Sequence, residues 1–291
     1  MSNSSAKQAA RQRMKYSGES YSAALSGIPN DNSHGFDSCT PEQLELRALL
    51  ALGFLNTELH PGSPAHWGLH TLSAYTITVS PRWNRLVLVA DAPRNVVAYL
   101  IPRRGSRRMR LPGLRLVEIR GTDTYVMLHL PTGAEMAVTG QPSGRTTGRV
   151  RAAGRDYLTV DDEPTESEIR LLEELPAMSS GIRLLLAGVT ARLSTVDAKR
   201  QWAVANWYWD PLDRPGGERN EQEELDGPRR YLWGSGNRWK LTWTGHPRQS
   251  DLVDALTDDR VGVEGATGRE AHRSQLILCG DAEFTIRHWD D

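Results

Sequence analysis

The chain has 291 residues, 38% of them hydrophobic and 24% charged, with a formal net charge of −1. That length suits one large domain or two of ordinary size, and no apolar run approaches the roughly 18–20 residues that a membrane-spanning helix needs. The N-terminus lacks the apolar stretch of a secretory signal and only Cys39 and Cys279 could form a disulfide, so a cytoplasmic protein with reduced thiols is expected and no membrane partner.

Residues 1–35 read as a basic appendage and linker. Ser4 to Tyr16 is a helix candidate on which Lys7, Arg11 and Lys15 recur every fourth residue and so share one stripe. Gly18 stops it, a brief turn follows over 19–25, and 27–35 is dense in glycine, proline and polar residues. Thr40 is a good N-cap, with Pro41 at the first helical position and Glu42 and Glu45 in the first turn. The broad leucine surface of 41–57 marks that helix as core-facing.

A β-rich domain is expected over 36–155. Candidate strands are Tyr75–Val79, Leu86–Val89, Val96–Ile101, Leu114–Ile119, and the pair 125–130 and 135–139 about Pro131-Thr-Gly133. Six strands with short connections predict an antiparallel sheet or small barrel with the 41–57 helix on one face. An acidic connector follows at 156–178. It holds a helix at 165–175, where Thr165 and Glu168 have capping-box spacing. The rest, 179–291, is expected to be a Trp-rich α+β domain with a helix at 180–194, a hairpin about Gly234-Ser-Gly-Asn237 and closing strands at 276–279 and 284–288. The fold class is therefore α+β.

Charge is segregated along this chain. Residues 94–155 hold twelve arginines and three acids, Glu118, Asp123 and Glu135, whereas 156–174 holds eight acids and one arginine. The chain has 31 arginines to 4 lysines, so the choice of arginine reflects coding bias and only its clustering calls for a physical account. Arg103, Arg104, Arg107, Arg108 and Arg110 in one loop, with Arg145, Arg149 and Arg151 after the next hairpin, could form one phosphate-binding surface for DNA or RNA, helped by Lys7, Arg11 and Lys15. Alternatively, the acidic segment lies across these arginines and neutralises them, or the two charged surfaces pair between subunits. Seven of nine tryptophans fall between Trp202 and Trp289. Of these, Trp207, Trp209, Trp233, Trp239 and Trp243 are candidate interface or core residues, with stacking on unpaired bases or sugar rings as the alternative.

His60, His66 and His70 do not complete a metal-ligand set, and Gly140–Thr146 falls one residue short of a phosphate-binding loop and has arginine for lysine. No catalytic residue, metal ligand or cofactor is expected from motif. Contact with nucleic acid, or with a nucleic-acid-bound partner, is the first reading. A protein-interaction or assembly component is the second, and an enzyme with a scattered active site the third.

Ala10, Arg11, Arg13, Gly18, Glu19, Ser20, Tyr21, Ala24 and Leu25 give the segment 9–25 a resemblance to a short N-terminal element of bacterial plasmid- and phage-associated accessory proteins. The resemblance implies a mobile-element setting and nothing about the fold of 36–291.

Overall fold

The computed structural model describes residues 3–56, 67, 69, 75–105, 110–140, 156–204, 207 and 230–289. Two units of identical connectivity follow an N-terminal pair of helices, α1 (Asn3–Ser17) and α2 (Tyr21–Ser26). The first unit comprises α3 (Pro41–Phe54), the hairpin β1 (Thr76–Arg82) and β2 (Arg85–Ala90), α4 (Pro93–Leu100), and the meander β3 (Leu114–Arg120), β4 (Thr124–His129), β5 (Ala134–Thr139). A short helix, α5 (Glu166–Glu173), leads to the second: α6 (Ser180–Ala191), β6 (Arg230–Ser235), β7 (Arg238–Trp243), α7 (Gln249–Thr257), β8 (Ala266–Ala271), β9 (Ser274–Cys279) and β10 (Ala282–His288).

The sheets have orders β1-β2-β5-β4-β3 and β6-β7-β10-β9-β8. In each, the last strand inserts parallel to the second strand of the hairpin, and every other pairing is antiparallel. Local contacts repeat as well. The Thr40 N–H donates to the Trp83 carbonyl and the Ser179 N–H to that of Gly236, each at 2.9 Å, so both helix caps are tied to their unit's hairpin turn. Arg85 pairs with Glu135, and Arg238 with Glu283, at the start of the parallel pair in both sheets. One constant sequence offset relates Val79, Trp83 and Arg85 to Leu232, Gly236 and Arg238. The fold is an internal duplication.

The long helices α3 and α6 pack on each other and, on their other sides, on their own sheets. Burial of α3 along nearly its whole circumference follows from this double contact. Gly181 permits it for α6, since a Cβ there would lie 2.3 Å from the Cys279 carbonyl oxygen. One continuous apolar cluster runs through both units.

Three expectations need correction or extension. The chain is α+β, but its sheets are open and mixed, neither wholly antiparallel nor closed into a barrel. The expected strand 96–101 is instead the end of helix α4, which stops at Leu100: Pro93 occupies the first turn, and Val96, Val97 and Leu100 share its buried face. The two valines suggest a strand, but burial against β2, β4 and β5 decides for helix. Helix α7 and strand β8 were not anticipated; Ala-Thr-Gly-Arg-Glu-Ala has little strand propensity and is held by pairing with β9.

Candidate interaction surfaces

The acidic segment lies across the arginine segment. The Leu158 N–H donates to Pro102 O at 3.0 Å, Arg104 N–H to Asp156 O at 2.9 Å, and Leu116 N–H to Leu158 O at 2.9 Å, which lays residues 156–159 along the free edge of β3. Side chains follow the backbone. Arg104 reaches both Asp162 oxygens at 2.9 and 2.8 Å. The N–H of Thr159 and that guanidinium hold Asp162 at about 2. Arg103 stays exposed with its guanidinium 5.2 Å from the Tyr157 ring centroid, and Arg110 lies over Tyr99 at 4.5 Å.

The strongest join is buried. Arg115 meets Glu168 through two parallel bonds of 2.9 Å and also donates to the carbonyls of Asp162 and Glu163. Glu168 is the capping-box residue of α5, with Thr165 as the cap, and it further accepts the Gly113 N–H at 2.8 Å. Burial works against this carboxylate, yet Arg115 and the Thr165 and Gly113 N–H groups outweigh it and hold the group at about 2. Behind it, His129 Nε2 donates to Pro112 O at 3.0 Å, which leaves Nδ1 to accept from the Thr132 hydroxyl at 2.9 Å. Burial lowers this imidazole to about 4.

The N-terminal element is held by one arginine. Arg13, fully buried, donates to both Glu19 oxygens at 2.6 and 3.0 Å, to Gly27 O at 2.9 Å, to His34 O at 2.8 Å and to Pro81 O of β1 at 2.7 Å. Gly18 makes the turn with φ +70, and Gly27 leaves room for the guanidinium, whose Cζ would lie 2.5 Å from a Cβ there. Arg13, Gly18 and Glu19 are thus the residues that build and dock this helical hairpin. Lys7, Arg11 and Lys15 remain exposed on α1.

The tryptophans divide. Trp207, Trp239 and Trp243 are core residues, Trp207 standing 5.6 Å from Phe54 and 6.2 Å from Trp243 between ring centroids. Trp233 is 40% exposed and Trp289 48%. Trp233 points outward from β6 with the Lys240 ammonium 5.3 Å from its ring, and Tyr231, on the same face, stacks on Trp289 at 5.7 Å. Register places Lys240 beside Thr285 and Thr242 beside Arg287, so both cations share this outward face. Neither has a carboxylate partner among the described residues. Tyr231 and Trp233 hold the positions that Thr78 and Ser80 hold in β1, yet those small side chains are only 8% and 1% exposed, because α1 and α2 lie against β1.

Arg107, Arg108, Arg145, Arg149, Arg151, Trp209, His60, His66 and His70 lie outside the described residues. Among the described residues, no three His, Cys, Asp or Glu side chains are grouped to hold a metal, both cysteines are free thiols, and no helix is long and apolar enough to cross a membrane. Sequence reasoning placed Trp233 in an interface group but passed over Tyr231, Trp289, Lys240 and Arg287 as site residues. The alternation of β6 and β7 was the available signal. Comparison with models of protein families, with curated proteins and with solved structures finds no match.

Proposed function

We propose that this protein is a non-catalytic accessory scaffold that docks on a partner protein through the outward face of its second sheet. The observation that carries this reading is the exposed pair Trp233 and Trp289, with half-buried Tyr231 stacked on Trp289, beside Lys240 and Arg287. Apolar clusters rimmed by polar groups mark interaction sites, and Trp, Tyr and Arg contribute most of the binding energy at interfaces. Internal engagement of Arg104 by Asp162 and of Arg115 by Glu168 supports the same choice over phosphate contact.

The test is affinity capture of the tagged chain from its source cells beside a Trp233→Ser/Trp289→Ser variant of equal thermal stability. One protein held in stoichiometric amount by the parent and lost by the variant is the expected result. Equal recovery by both removes this face as the docking surface.

DNA or RNA contact is the second reading, favoured by the exposed stripe Lys7, Arg11 and Lys15 and by exposed Arg103. It requires oligonucleotide binding that weakens steeply between about 50 and 200 mM salt.

A further inference from the structure

We infer that the occupant of the Tyr231–Trp233–Trp289 face is a short helical hairpin of a partner protein, seated on β6 as α1 and α2 sit on β1, with carboxylates directed at Lys240 and Arg287. This rests on the protein-binding reading above and goes further by naming the shape and charge of what binds. Three observations carry it. Thr78 and Ser80 are covered by a helical hairpin, while their counterparts in the duplicated unit, Tyr231 and Trp233, are larger and more apolar, Tyr231 half-buried and Trp233 40% exposed. The free edge repeats the pattern: the Pro81 carbonyl of β1 receives Arg13, whereas its counterpart, the Gly234 carbonyl on the free edge of β6, has no side-chain donor among the described residues. Lys240 and Arg287 then fix the sign of the partner's charge.

A second copy of this chain does not fit. Two such faces would set one cationic surface against another, and α1–α2 is itself basic and held on β1 by Arg13. Single-stranded nucleic acid would also supply negative charge and stack on indoles, but it would leave the likeness to the α1–α2 seat without a role.

Photocrosslinking from the face separates these cases. Trp233→benzoylphenylalanine in the full chain, irradiated in source cells, should give a protein adduct that Lys240→Glu reduces at least about fivefold. Its crosslinked peptide should map to an acidic helix with a second helix close behind it. Mapping to an extended segment or a basic surface overturns the hairpin inference and leaves protein docking standing. A nuclease-sensitive adduct, an adduct with this same chain, or none from either Trp233 or Trp289 overturns the hairpin inference. The nucleic-acid outcome or the absence of any adduct also removes the protein-docking reading.

Discussion

The Val79 N–H donates to the Ser194 hydroxyl at 2.8 Å, so a residue following the long helix of the second unit closes the free edge of the first sheet. The reciprocal contact exists: the Leu232 N–H donates to Asn56 Oδ1 at 3.0 Å, from the residue that follows α3 to the free edge of β6. Each unit therefore guards the other's edge strand. Unpaired edges are templates for unwanted strand pairing, and here the packing of α3 on α6 delivers the side chains that cover them.

Ser194→Ala and Asn56→Ala should each leave a buried N–H unsatisfied and cost about 1–3 kcal/mol. Equivalent positions predict similar losses, read as urea midpoints at unchanged slope. A large loss at one and none at the other would show that the reciprocity is geometric only.

Glu168→Ala should destabilise the chain by about 3–5 kcal/mol, because it strands the buried Arg115 guanidinium and removes the acceptor for Gly113. Arg115→Met combined with Glu168→Leu should recover much of that loss, since the buried charge leaves with its partner. Chemical denaturation of the single and the double variant distinguishes a buried pair from a surface contact, for which Glu168→Ala would cost under about 1 kcal/mol.

Stability should fall as pH drops from about 6.5 toward 4. His129 titrates near 6.5 when unfolded and at about 4 when folded, so the unfolded chain takes the proton first and the folded state loses up to about 3 kcal/mol across that window. Glu168, held at about 2, adds a further loss as pH falls through the ordinary glutamate range below about 4.5. Melting temperatures of His129→Gln should be flat between pH 7 and 5 where the parent declines.

Arg13→Lys should cost at least about 2 kcal/mol, because a single ammonium cannot serve Glu19, Gly27, His34 and Pro81 together. Hydrogen exchange should then rise across α1 and α2 and along the outward face of β1, while β6 to β10 keep their protection. Uniform loss of protection would contradict a separately docked element.

Asp162→Ala should release Arg104 from its only carboxylate among the described residues. If phosphate contact uses the arginine segment, the log–log salt slope of oligonucleotide binding rises by about one. An unchanged slope assigns the segment to internal pairing.

Caps and local pairings were readable in the chain: Thr40 with Pro41, Thr165 with Glu168, and the hairpin about Gly236 each signal through a few adjacent residues. Glu168 shows where such reading stops. Its capping role follows from a three-residue spacing, but its bond to Arg115 spans 53 positions and depends on where α5 lands. The duplication was hidden for a related reason. Asn84-Arg85 recurs as Asn237-Arg238 and Ala134-Glu135 as Ala282-Glu283, whereas Thr78 and Ser80 give way to Tyr231 and Trp233. Register preserves the backbone while surface positions diverge freely.

By itself, the amino-acid sequence determined the α+β class, the caps that start α3 and α5, and a charge segregation in which acids could cover arginines. Tertiary structure decided that they do so at Arg104 and Arg115, that Arg13 pins the N-terminal hairpin, and that the tryptophans divide into core and surface. The physical reason is one of range. Caps and turns are settled by hydrogen bonds over three or four residues, whereas burial and charge pairing depend on which distant strand or helix arrives to exclude water.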